Sequence, residues 1–263
     1  MKINQFKHRL AYFHERFIAL AARYDGTIHH SSELETIIDE YAAFITNESN
    51  EQVWAELEQQ TSSELAPLIE GIRSSSATCV AIMEKYRALK LLNGEIDKTD
   101  YFHHIEACIK NEFGSFLVTA NSKVLLIGSG SFPMTPLFIA KQTGAEVIGI
   151  DIDEEAIALG RKVVERLGNG LKITLEHAFV EQLDAVKDAT HIIFSSTVAN
   201  KYDLLDQLFA LTNEQVVVAM RYGDRLKSLF NYPMQATDAH KWKLIESILR
   251  PDHVFDIALY QKA

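Results

Sequence analysis

The 263-residue chain has two cysteines, Cys79 and Cys108. Both fall in helix-like segments, which argues against a disulfide scaffold and for buried free thiols in a reducing cytoplasm. Basic residues are in deficit: 26 Lys and Arg stand against 36 Asp and Glu, a formal charge of −10. No Lys/Arg cluster offers the phosphate contacts that a nucleic-acid surface needs. No uninterrupted apolar run is long enough to cross a bilayer. The opening stretch, MKINQFKHRLAYFHERF, is amphipathic and polar and lacks the apolar core of a signal peptide. The expectation is a cytoplasmic protein with neither nucleic-acid nor membrane partners. There are ten histidines but no HxxxH or CxxC spacing. His29-His30 and His103-His104 are adjacent pairs, and neighbours on a helix do not face one point, so no metal site is expected.

What is present reads as two grammars. From residue 1 to 118 the pattern is helical throughout. Leu34 to Ile45 places apolar residues three and four apart, the mark of a helix with one buried face. A second helical stretch starts at Ser62-Ser63, which can cap it, and stops at Asn93-Gly94. A third starts at Thr99 or Asp100 and ends near Gly114. From 119 to 263 short apolar runs alternate with helical ones. KVLLIG, EVIGIDID, KITLEHA, HIIFSST and QVVVAMRY read as buried parallel strands, and HVFDIALYQ as a further strand, parallel or antiparallel, at the end of the sheet. This alternation predicts an α/β fold: a helical N-terminal domain packed on a Rossmann-like, class I methyltransferase-type doubly wound sheet.

The first strand runs into Gly128-Ser129-Gly130 and then Phe132-Pro133, before a helix. Glycines here allow positive φ and close approach of a ligand to the backbone. The next strand ends at Asp151, followed by Ile152, where a carboxylate commonly accepts from ribose hydroxyls. The bland alternative is a tight turn with Asp151 as a helix cap, although Asp153 is better placed for that. A dinucleotide fingerprint would want a third glycine, and a triphosphate site a Walker lysine. Neither is present. The remaining candidate is an adenosine ligand without phosphate, such as S-adenosylmethionine, with Ser195, Ser196 and Thr197 at the end of the fourth strand near its tail. Pro133 lacks an N–H and suits the first turn of the helix that follows.

GSGSFPMT resembles the GSGPLPLT-type turn of nicotianamine synthases, with Pro133 and Thr135 at the matching spacing. DYFHHIEACIKNE resembles that family's PYYxNYxxLxxxE segment, which sets Tyr101 on its first tyrosine and Glu112 on its closing glutamate. IMEKYRALKLL resembles its LLESHF helix and sets Glu84 on the family glutamate. IGSGSFPMT, VIGIDID, THIIFSST, VVVAMR and FDIALY are similar to the short bacterial branch that serves staphylopine-type opine metallophore pathways. His103-His104 and Ile105 depart from the family's Asp-Asn or Asn-Asn pair and tyrosine.

The resemblance implies a histidine 2-aminobutanoyltransferase. One aminobutanoyl unit would move from S-adenosylmethionine, a co-substrate, to the α-amino group of histidine, with the D form expected and methylthioadenosine released. An opine dehydrogenase would act downstream. It implies Glu84 as proton acceptor and Tyr101 as its orienting partner. Arg221, Tyr222 and His103 are candidates for substrate binding; Arg221 follows a strand's carboxyl end, where it would bind a carboxylate or form an ion pair. An ordinary small-molecule methyltransferase and a nucleotide-sensing protein remain alternatives, because fold does not fix function. The oligomeric state stays open, with a homodimer the working expectation.

Overall fold

The computed structural model describes residues 3–95, 112, 114 and 116–263. Three helices open the chain: α1 (Ile3–Ala21), α2 (Ser31–Ile45) and α3 (Glu48–Leu92). They share an aromatic core in which Phe13 meets Tyr41 at 4.9 Å and Phe44 at 5.4 Å between ring centroids. Cys79 lies in the same core and donates to the Phe17 carbonyl, and burial pushes its thiol up to about 12. Cys108 is outside the described residues.

Helix α3 corrects one expectation. It does not begin at Ser62-Ser63 but runs through them for 45 residues, with Pro67 inside. Its cap is Asn47, whose side chain accepts from the amides of Ser49 and Asn50. Val53, Trp54, Leu57, Leu65 and Ile72 all enter one core with α1 and α2. That continuous apolar stripe offsets the hydrogen bond lost at the proline, a cost of about 3 kcal/mol in a helix interior. The other end is as expected, with Asn93 at the cap and Gly94 at φ 83°.

The rest of the chain forms β1 (Lys123–Ile127), α4 (Met134–Thr143), β2 (Glu146–Asp151), α5 (Glu154–Leu167), β3 (Ile173–His177), β4 (His191–Phe194), α6 (Lys201–Leu211), β5 (Val217–Tyr222), β6 (Trp242–Ile248) and β7 (Asp256–Lys262). The seven strands pair in the order β3-β2-β1-β4-β5-β7-β6. The first five are mutually parallel, whereas β7 runs antiparallel to β5 and to β6. This is the doubly wound, class I methyltransferase-type sheet. Strand β6 has no counterpart in the sequence reading. Its edge position leaves Lys243 to Ile245 exposed and a register irregularity lies between Leu244 and Glu246, so it carries neither a buried run nor strict alternation.

Packing crosses the sequence divide. The 3-10 turn Arg225–Leu229 docks on α2 and α3, placing Leu226, Leu229 and Phe230 in the helical core. Tyr41 Oη donates to the Leu229 carbonyl at 2.7 Å. Chain order reverses between β1 and β4, and there the helical layer faces the strands' carboxyl ends.

Candidate functional site

The reversal opens a cavity of about 430 Å³ at the carboxyl ends of β1, β2 and β4. Crevices of this kind are where open α/β sheets gather ligands. The turn after β1 forms its floor. Gly128 and Gly130 adopt φ of 82° and 66°, and the amides of Gly128 and Ser129 donate to the Ile150 carbonyl at 2.9 and 3.0 Å. A Cβ on Gly128 would meet Val198 and Ser195, and one on Gly130 would enter the Glu84 carboxylate. Both positions therefore need glycine for conformation and for space.

Asp151 ends β2 on the cavity wall with both carboxylate oxygens occupied. Oδ2 accepts from Gly130 N at 2.9 Å and Oδ1 from Asp153 N at 3.0 Å. It is not the helix cap. Asp153 caps α5, accepting from Ala156 N at 3.1 Å. Asp151 is thus fixed in place with lone pairs left for hydroxyl donors.

Helix α3 supplies the opposite wall. Ala77, Val80, Ala81 and Glu84 recur at helical spacing on one face, three modest apolar side chains and then a carboxylate. Burial, with Asp151 nearby, pushes the Glu84 carboxyl up to about 8, although the Ser131 amide and the charges of Arg87 and Arg221 pull it down. A carboxyl so displaced beside a cleft marks a candidate acid or base.

Ile152 and the Ala178–Glu181 stretch after β3 complete one end, with Ile152 and Phe179 exposed as apolar surfaces. Ser195, Thr197 and Asn200 line the other. Other expected ligand residues stand behind this lining. Ser129 is buried against Gly149, and Phe132 packs under the Arg87 guanidinium at 4.9 Å. Pro133 precedes α4, its carbonyl accepting from Leu137 N at 3.1 Å. The Ser196 carbonyl accepts from Lys201 Nζ at 2.9 Å. Lys201 is fully buried, also donates to the Arg221 carbonyl at 2.7 Å, and burial pulls its ammonium down to about 7.

Arg221 and Tyr222, neighbours on β5, point to opposite faces of the sheet, and neither lines the cavity. The Arg221 guanidinium forks onto both oxygens of Glu112, with Nη2 at 2.8 Å from Oε2 and 3.0 Å from Thr135 Oγ1. Burial pushes the Tyr222 hydroxyl up to about 12, with Asp256 and Asp224 adding to it. Tyr101, His103 and His104 lie outside the described residues. Removing one partner of a buried pair leaves the other charge unpaired, so Arg221→Met is expected to destabilise the fold by about 3–5 kcal/mol. Urea denaturation measures this, and adding Glu112→Met should restore most of the loss.

Sequence reasoning missed Ala77, Val80, Ala81, Val198, Asn200 and the Ala178–Glu181 stretch. The last has a signal in the sequence, because it follows a parallel strand's carboxyl end. The α3 residues have none, since helical periodicity does not say which neighbour a face meets.

No family model matches the chain. An L-histidine 2-aminobutanoyltransferase of Pseudomonas aeruginosa (strain UCBPP-PA14) is 27% identical over 193 residues, 73% of each protein. One of Yersinia pestis is 32% identical over 164 residues, 62% of this chain and 60% of its own. Among solved structures, a point mutant of MtNAS, a nicotianamine synthase, superposes with a TM-score of 0.77. That match covers 97% of both chains at 15% identity. MtNAS in complex with MTA and tNA gives 0.79 over 98% of both at 14% identity. These likenesses establish the fold.

Proposed function

We propose that this chain, a relative of the L-histidine 2-aminobutanoyltransferases with the fold of a nicotianamine synthase, moves one aminobutanoyl unit from S-adenosylmethionine to the α-amino group of histidine. The observation that carries the reading is the Glu84 carboxylate facing the nucleotide turn and Asp151 across one cavity. Division into a helical domain, 1–118, and a nucleotide-binding domain, 119–263, belongs to the same reading. So does a place in metallophore biosynthesis. The relatives are named for L-histidine, which favours the L enantiomer as acceptor where the sequence resemblance implied the D form.

The residues present fit S-adenosylmethionine. Asp151, immobilised by two amides, has acceptor capacity left for the ribose hydroxyls. Ile152 and Phe179 offer apolar faces to the adenine, while the cradle at Gly128 and Gly130 admits the sulfonium arm. Ser195 and Thr197 stand at the far rim for the polar tail. The sulfonium is a good leaving group, so the protein has only to position the reactants and take up a proton.

The neutral amine attacks the γ-carbon of the aminobutanoyl arm. The C–S bond breaks with its electron pair going to sulfur, which leaves as the neutral thioether of methylthioadenosine. The proton shed by the amine passes to Glu84. Burial and Asp151 raise the Glu84 carboxyl to about 8, which brings its proton affinity much closer to that of an amine than an ordinary carboxylate's would be. Near-matched affinities suit general base catalysis. Tyr101, matched to the family's first tyrosine by the sequence resemblance, would serve as the orienting partner of Glu84.

Incubation with S-adenosylmethionine and each histidine enantiomer, with mass detection, tests the reading. Methylthioadenosine and a product carrying one aminobutanoyl unit on L-histidine are expected. S-adenosylhomocysteine as the by-product would identify a methyltransferase and reject it.

A further inference from the structure

Glu84 and Asp151 stand on opposite sides of the cavity, yet a closed path of contacts joins them through the next residue of α3. Lys85 Nζ lies 2.7 Å from Asp153 Oδ2 and 2.6 Å from Glu155 Oε2. Its side chain is 11% exposed, so the ammonium is largely withdrawn from solvent. The other oxygen of Asp153 caps α5, and the Asp153 amide donates to Asp151. Asp151 in turn accepts from Gly130, whose Cα abuts the Glu84 carboxylate. The path returns to α3 one residue from where it left.

Two further contacts brace the helix. Tyr24 Oη donates to Glu155 Oε1 at 2.8 Å, and Lys85 Nζ stands 5.5 Å from the Tyr24 ring. Two residues beyond Lys85, Arg87 covers Phe132 of the nucleotide turn. These directional contacts matter because the face that α3 turns to the cavity is Ala77, Val80 and Ala81. That face borders open space, and the register of α3 is held farther along, where Ala88, Leu89, Leu91 and Leu92 pack against Leu137, Leu159 and Val163. Apolar contacts of that kind are non-directional, whereas an ion pair to a helix cap sets one ammonium against one carboxylate.

We propose that Lys85 is a positioning residue: its ion pair with Asp153 fixes where α3 stands on the N-terminus of α5, and so holds the Glu84 carboxylate over the nucleotide turn. This rests on Glu84 as the proton acceptor. Lys85 touches no reacting atom and acts through the helix that carries both residues. A partly exposed ion pair contributes at most about 1 kcal/mol to stability. Displacing a reacting group by an ångström costs about 100-fold in rate. The pair should therefore register in turnover far more than in melting temperature.

Asp153→Asn isolates the charge, because Asn caps a helix about as well as Asp and keeps the amide that holds Asp151. Lys85→Met keeps the apolar stem and removes the ammonium. Each is expected to lower kcat about tenfold while the KM for S-adenosylmethionine stays within about twofold. The double variant should be no slower than Lys85→Met, because that change already removes the Asp153 pair together with the Glu155 one. Lys85→Arg should recover most of the rate. Single variants within about twofold of wild type in kcat, or losses that multiply in the double variant, would overturn the proposal. Glu84→Gln run alongside separates the two readings. Normal turnover there rejects the base assignment, whereas an inactive Glu84→Gln beside a fully active Lys85→Met rejects only the positioning role.

Discussion

Glu84→Gln is expected to cut turnover by about 10²–10⁴-fold while S-adenosylmethionine still binds. Gln has nearly the shape of Glu, so the cavity wall and its approach to Gly130 persist. What goes is the capacity to accept a proton. The pH dependence has a definite sign. Burial and Asp151 hold the carboxyl near 8, so at lower pH it is protonated and cannot act as a base. In wild type, kcat/KM should fall as pH drops through about 8. The fall should be steep, because the acceptor amine also gains a proton as pH drops and only its neutral form attacks. The residual rate of the Gln variant should keep only the amine's shallower share. Calorimetric titration of the ligand and initial rates between pH 6 and pH 9.5 check both halves (a range of about 2 units below and 1.5 above the carboxyl value). A Gln variant of undiminished rate would remove Glu84 from the mechanism.

Gly130→Ala should do comparable damage by a different route. An L-residue at φ 66° costs about 1–2 kcal/mol. The new Cβ would also collide with the Glu84 carboxylate. Either Glu84 or the turn must retreat, and the amide that holds Asp151 belongs to the residue being displaced. Ligand binding and turnover should both fall, turnover by about 100-fold or more. Gly26 supplies the control, since it has φ 77° and no heavy atom near where its Cβ would stand. Gly26→Ala carries the backbone strain without the collision. Equal effects of the two variants on binding and turnover would show that the contact with Glu84 is immaterial.

The nucleotide half was legible because its signals are local. A buried parallel strand reads as an apolar run, a turn needing positive φ reads as glycine, and Asp153 reads as a cap from the three residues after it. Glu84 came from a family resemblance and not from its pattern, since a glutamate on a long helix looks like any solvated position. Its meaning depends on Gly130, 46 residues away, and only the folded chain brings them together. Ser62-Ser63 misled for the converse reason. Serines near a proline carry the chemistry of a helix start, but the apolar stripe running from Val53 to Ile72 outweighs it. Arg221 was legible as either a ligand clamp or an ion pair, and burial beside Glu112 depends on tertiary structure. Strand β6 was hidden because an edge strand need not alternate when one side of it meets no partner.

The length of α3 carries a consequence for how this protein can vary. Trp54 is sunk in the helical core near one end of the helix, and Glu84 meets the nucleotide turn near the other. An uninterrupted helix transmits rotation like a shaft. Adding or deleting one residue between them would turn Glu84 by about 100° relative to Trp54 and shift it by about 1.5 Å. The carboxylate would leave the cavity even though every side chain was retained. Insertions and deletions tolerated in that stretch should come in steps of about three, four or seven residues, the spacings that restore a helical face.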